Sequence, residues 1–101
     1  SFKKAATTDE LSPGEMKLLE LDGERILLAN VNGEFHAVSE VCTHAEGPLS
    51  EGALESEEVE CPFHGSRFNV ITGEVATGPA DEPLKVYKVQ LRGKDVLIGP
   101  P

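Results

Sequence analysis

Short runs of apolar and β-branched residues recur along this chain, each cut off by a turn signal. The runs are MKLLEL, RILLANV, FHAV, EVEC, RFNVI, LKVYKVQL and DVLI. The interruptions are SPGE (12–15), DGE (22–24), NGE (32–34), SEG (50–52), TGE (72–74) and RGKD (92–95). Short strands separated by Gly-bearing turns predict an all-β fold, an antiparallel sandwich or barrel. The Asp–Gly and Asn–Gly pairs suit hairpins, because these residues tolerate positive φ. Toward the end of the chain Tyr87, Val89 and Leu91 alternate with Lys88, Gln90 and Arg92, the period of a half-buried strand. Leu84 and Val86 fall in the opposite phase, which predicts a bulge or bend near Val86. The one helical signal is TTDEL, where Thr7 or Thr8 can cap a turn ahead of Leu11. Residues 42–66 read as a long irregular insertion between strands, and an insertion of that length in a compact β domain is usually functional.

Composition narrows the class. At 101 residues and 39% hydrophobic, the chain can build one domain, 1–101, around one core. It has no Trp, four Phe and one Tyr, so that core is mostly Val, Leu, Ile and Ala. Eighteen acidic against nine basic residues give a formal net charge of -9. With no basic patch, nucleic acid and acidic membrane surfaces are excluded as partners. A basic protein partner is expected instead, with charge setting the rate and orientation of encounter. No apolar run reaches the length of a membrane span and the first residues lack the apolar stretch of a signal peptide, which points to the cytoplasm. In a reducing compartment a disulfide is disfavoured, and metal or redox chemistry is the stronger reading of two cysteines.

Both cysteines and two of the three histidines lie in CTHAEGPLSEGALESEEVECPFHGSRF, residues 42–68. They form two mixed pairs, Cys42-Thr43-His44 and Cys61-Pro62-Phe63-His64, with sixteen residues between His44 and Cys61. Three readings compete. A structural zinc site accepts two Cys and two His, although zinc fingers usually pair like with like. A disulfide with incidental histidines is the second. The third is an iron–sulfur cluster in which His replaces Cys on one iron, since a plant-type cluster needs four thiolates. Spacing favours the third without excluding the others. His36, in GEFHAV, lies away from both pairs and reads as a structural histidine.

The paired motif C-x-H and C-x-x-H, in the settings CTHAEGPLSEG and CPFHGSRFNVITGE, resembles the Rieske [2Fe–2S] signature. TGPADEPL (77–84) resembles the Pro-rich loop that covers the cluster in that family, and the likeness extends over about residues 2–99. The resemblance implies a Rieske-like antiparallel β fold with a cluster-binding loop subdomain, about 42–84, inserted between strands. It implies one Rieske-type [2Fe–2S] cluster, with Cys42 and Cys61 on one iron and His44 and His64 on the other. Gly47, Gly65, Ser66 and Pro79 would surround it, the glycines by letting backbone approach closely and the prolines by stiffening the loops. Neutral imidazoles make an electron easier to accept than four thiolates do, and such centres span roughly -150 to +300 mV. High-potential members carry an extra cysteine in each loop and a Ser and a Tyr beyond the second His. Here Gly47 or a neighbour and Phe63 stand at the cysteine positions, Ser66 matches the serine, and Phe68 replaces the tyrosine. Fewer donors to the cluster predict a low or lower-middle potential.

No substrate-binding motif, dinucleotide fingerprint or second metal set is present. Small members lacking the disulfide resemble the ferredoxins of bacterial aromatic-ring-hydroxylating dioxygenases. The resemblance therefore implies a monomeric one-electron carrier rather than an enzyme, passing electrons from a flavin-containing NAD(P)H reductase to a terminal oxygenase. A small subunit of an assimilatory nitrite reductase and a structural zinc module remain the alternatives.

Overall fold

The computed structural model describes residues 1–44, 46–63 and 65–101. Ala45 and the predicted ligand His64 lie outside the described residues. The described residues form eleven strands: β1 (Lys3–Thr7), β2 (Met16–Leu21), β3 (Glu24–Val31), β4 (Glu34–Ser39), β5 (Ala53–Glu55), β6 (Glu58–Glu60), β7 (Arg67–Asn69), β8 (Val75–Thr77), β9 (Val86–Tyr87), β10 (Val89–Arg92) and β11 (Asp95–Ile98). Among the described residues the only helical turns are of the 3-10 type, Thr8–Glu10 and Leu49–Glu51. Among the described residues no helix is long and apolar enough to cross a membrane. The strands make three antiparallel sheets, ordered β1-β11-β10, β2-β3-β4-β9 and β5-β6-β7-β8. The all-β prediction therefore holds.

The middle sheet is stacked between the other two, and its chemistry explains why. In RILLANV the residues from Ile26 to Val31 are all buried, apolar except for Asn30, whose amide donates to the Leu11 carbonyl at 2.9 Å, the pattern of a strand covered on both faces. Ile26 and Leu28 pack with Ala6, Leu19, Tyr87, Val96 and Ile98 toward one outer sheet. Leu27, Ala29 and Val31 pack with Leu49, Val59, Phe68 and Val70 toward the other. The hairpins that join β2 to β3 and β3 to β4 have two-residue turns, with φ of 52° and 81° at Asp22–Gly23 and 53° and 94° at Asn32–Gly33. Positive φ at both positions is the type I′ geometry, whose twist matches that of the flanking strands.

Two sequence expectations change. Residues 42–66 are not irregular throughout. They contain the Leu49–Glu51 turn and the β5–β6 hairpin, whose strands of three residues are too short to show an alternating pattern. The bend in the last apolar run falls at Lys88, not Val86. There the chain leaves β9, paired with β4, and enters β10, paired with β11. One run therefore serves two sheets. Thr7 takes the N-cap position of the first 3-10 turn, and its N–H donates to Glu10 Oε2 at 3.0 Å.

Candidate metal centre

Each Cys motif begins where a strand ends. Cys42 follows β4 and Cys61 follows β6, and both turn back in the same way. The Cys42 N–H donates to the Gly47 carbonyl at 3.0 Å, and the Cys61 N–H donates to the Ser66 carbonyl at 2.7 Å. Each hydrogen bond closes a loop five residues on. Loop one is tightened by Glu46 N–H to the Cys42 carbonyl (2.9 Å) and loop two by Gly65 N–H to the Phe63 carbonyl (2.8 Å).

The two thiols meet inside the protein. Cys42 and Cys61 are 0% and 1% exposed, are not joined by a disulfide, and belong to the same buried cluster. Burial pushes the Cys61 thiol up, the Phe63 N–H pulls it down, and the neighbouring Cys42 raises it further. The Phe63 N–H is a donor already aimed at sulfur, as a thiolate in a buried site needs. His44 is exposed. The described part of the centre thus has a buried sulfur side and an imidazole toward the surface. No three His, Cys, Asp or Glu side chains gather as a metal set among the described residues.

Gly47 locks the loops together. A Cβ there would lie 2.9 Å from Cys61 Sγ and 3.0 Å from the Phe63 ring, so loop one rests directly on the sulfur of loop two. Gly65 has a different reason to be glycine. Its φ is +74°, and a Cβ would meet only Glu60 Oε2, at 3.7 Å. Ser66 is fully buried, and its Oγ accepts the Ala80 N–H at 3.0 Å. Pro79, next to Ala80, is exposed and joined to Gly78 by a cis peptide.

Two residues missed by sequence reasoning complete the arrangement. Thr43 Oγ1 donates to the Glu82 carbonyl at 2.7 Å. Together with Ala80 to Ser66 it fastens the 77–84 segment to both loops. Thr43 sits between two predicted ligands, and that placement was the available signal. Glu40, two residues before Cys42, is fully buried; its signal was an acidic residue within the apolar stretch AVSEVC. Of the acidic residues near the loops, Glu55, Glu58 and Glu60 pair with Arg67, and Glu57 accepts from Asn69. Glu46, Glu51, Asp81 and Glu82 are exposed.

The donor set fits an iron–sulfur group. Two buried, unbridged thiols in one cluster suit a soft metal centre, and the glycine contact at Cys61 Sγ leaves no room for a larger residue. Comparison with known proteins agrees. The sequence model of the Rieske [2Fe-2S] domain matches residues 1–88. The biphenyl dioxygenase ferredoxin subunit of Pseudomonas sp. (strain KKS102) is 44% identical over 99 residues, 97% of this chain and 91% of that protein. The solved ferredoxin of carbazole 1,9a-dioxygenase from Nocardioides aromaticivorans IC177 superposes with a TM-score of 0.95 at 33% identity, covering 100% of this chain and 99% of the other. A ferredoxin-sized match in a solved complex of reduced oxygenase and oxidized ferredoxin in carbazole 1,9a-dioxygenase gives 0.93 at 33% identity, over 97% of this chain and 92% of that one. The chain belongs to the Rieske [2Fe-2S] domain family, and its cofactor is a Rieske-type [2Fe–2S] cluster.

Proposed function

We propose that this protein is the ferredoxin of an aromatic-ring dioxygenase system, a one-electron carrier and not the catalyst. The observation that supports this best is the pair of buried, unbridged thiols held by two matching closed loops. Named relatives are ferredoxin components of biphenyl and carbazole dioxygenases, and one matched ferredoxin forms a complex with its oxygenase.

When bound, the cluster supplies reversible one-electron chemistry in the range of His-ligated [2Fe–2S] centres, roughly -150 to +300 mV. Cys42 and Cys61 would hold it from the interior and His44 from the surface side, with His64 as the fourth ligand that the motif implies. The Phe63 N–H steadies the Cys61 thiolate. Ser66, whose Oγ already accepts from Ala80, keeps its own O–H to donate to a sulfur. Gly47 keeps the two loops at the approach this requires, and residues 42–84 act as one cluster-binding unit. Phe68 is fully buried and offers no hydroxyl, so the donor set is smaller than in high-potential Rieske proteins and the potential is set low.

The electron comes from a flavin-containing NAD(P)H reductase and goes to the terminal oxygenase. The protein works as a monomer in the cytoplasm. Glu46, Glu51, Asp81 and Glu82 steer basic partner surfaces. The test is the visible spectrum and the low-temperature EPR spectrum after dithionite reduction, followed by reconstitution with a reductase and an oxygenase. A red-brown protein with the rhombic signal of a nitrogen-ligated [2Fe–2S] centre, turning over only with both partners, is the expected result. A colourless, EPR-silent protein that retains zinc would overturn the carrier reading.

A further inference from the structure

Glu40 is the one charged residue among the described residues that is buried, with 0% exposure. Burying a carboxylate is costly unless it is matched by a cation or well hydrogen-bonded. No salt bridge includes Glu40 among the described residues. Its partners come from one residue: the Ser50 N–H donates to Oε1 at 3.0 Å and the Ser50 Oγ–H to Oε2 at 2.7 Å. Both oxygens accept, which is the behaviour of an ionised carboxylate.

The backbone of Glu40 is used as fully. Its N–H donates to the Arg25 carbonyl at 3.1 Å, and its carbonyl accepts the Leu49 N–H at 2.9 Å. Val41 and Pro48 form a bridge just beyond. One residue therefore joins β3, the end of β4 and the Leu49–Glu51 turn, and closes the base of loop one from both sides. Closure alone does not call for a charge. A glutamine of the same shape could accept a donor and add none, at a smaller desolvation cost. The carboxylate has a further effect. A negative charge in the interior, two residues from Cys42, opposes the arrival of an electron at the centre those residues hold.

We propose that Glu40 is a positioning residue for loop one whose interior charge holds the midpoint potential of the cluster down. This rests on the carrier reading above. In effect Glu40 and Ser66 act in opposite directions, one by charge and the other by a hydrogen bond.

The test uses the cluster-loaded protein at pH 7. Glu40→Gln should keep its iron content and EPR signal while its midpoint moves to more positive values. A unit charge about one loop away, at an effective dielectric constant of about 20, biases a one-electron equilibrium by about tenfold, or ~59 mV. Glu40→Asp, which keeps the charge, should lower melting temperature but leave the midpoint close to that of the unaltered protein. A merely structural role would make Asp and Gln alike in potential. An unchanged midpoint in loaded Glu40→Gln overturns the proposal. If that variant takes up no iron, Ser50→Ala decides: it strips the hydroxyl donor from a carboxylate left in place, so a negative shift is expected and no shift overturns the proposal. A missing cluster signal in the unaltered protein is a separate outcome. It overturns the carrier reading and this proposal with it.

Discussion

At the scale of single residues the centre depends on contacts too close to tolerate change. Gly47 has no space for a Cβ, because Cys61 Sγ and the Phe63 ring occupy it. Gly47→Ala should therefore spread the two loops, costing about 1–3 kcal/mol as overpacking does. The iron-to-protein ratio and visible absorbance are expected to fall well below those of the unaltered protein; full iron loading with an unchanged spectrum would show that the loops can separate freely. Ser66 makes a different prediction. Removing its hydroxyl leaves the Ala80 N–H without its acceptor, a loss of roughly 1–3 kcal/mol for a buried group, and withdraws the donor proposed for the centre. Ser66→Ala is expected to melt earlier and to have a more negative midpoint by protein-film voltammetry. A lower melting temperature with an unmoved midpoint would confine Ser66 to fastening the 77–84 segment. The paired motif and its family resemblance pointed to the cysteines, His44, Gly47 and Ser66 from sequence. Glu40 and Thr43 were not legible there, since their roles depend on Ser50, ten residues on, and on Glu82, 39 residues on, which only folding brings into contact with them.

At the scale of elements, strands of the middle sheet are tied across β4 by a polar link. Glu24 at the start of β3 accepts from Tyr87 Oη on β9 at 2.9 Å and from Lys85 Nζ at 3.1 Å. The Tyr87 hydroxyl, then Lys85, holds the Glu24 carboxyl below its usual 4.5. Burial, then Glu24, pushes the Tyr87 phenol above its usual 10.0. A depressed carboxyl adds stability that is present above its unfolded pKa and is lost as pH falls through the lower folded value. A raised phenol adds stability that is present below its unfolded pKa and is lost as pH rises through the higher folded value. Melting temperature should thus decline below about pH 4.5 and above about pH 10. In Tyr87→Phe the alkaline decline should shrink, and the acid decline should weaken because Glu24 loses its leading donor. Superimposable pH profiles of the two proteins would show that the link contributes nothing. Strands that present long apolar faces, such as β2, β3 and β11, were readable from their pattern. β1, β5 and β8 were not. Lys3 and Lys4 disguise β1, while β5 and β8 have three residues each and are mostly exposed, so their pairing comes from neighbours rather than from their own residues.

At the scale of the whole molecule, the proposed steering by charge makes a prediction about salt. With a net charge of -9 and Glu46, Glu51, Asp81 and Glu82 exposed around the loops, reduction by a basic partner should slow as salt rises, since surface charges are screened beyond about 8–10 Å at moderate ionic strength. Charge reversal at Glu46 and Glu82 should lower the second-order rate at low salt and flatten its salt dependence. Stopped-flow rates that do not vary with ionic strength would remove steering. The sequence by itself determined the β class, the hairpin turns, the two Cys–His motifs and the acidic balance, because each is carried by neighbouring residues with a fixed local preference or ligand chemistry. Only the tertiary structure decided that one apolar strand is covered on both faces, that the last run divides between two sheets, that Gly47 meets Cys61, and that a lone carboxylate sits behind loop one. Those are contacts between distant segments, and their physical cause is close packing in three dimensions, which no local pattern contains.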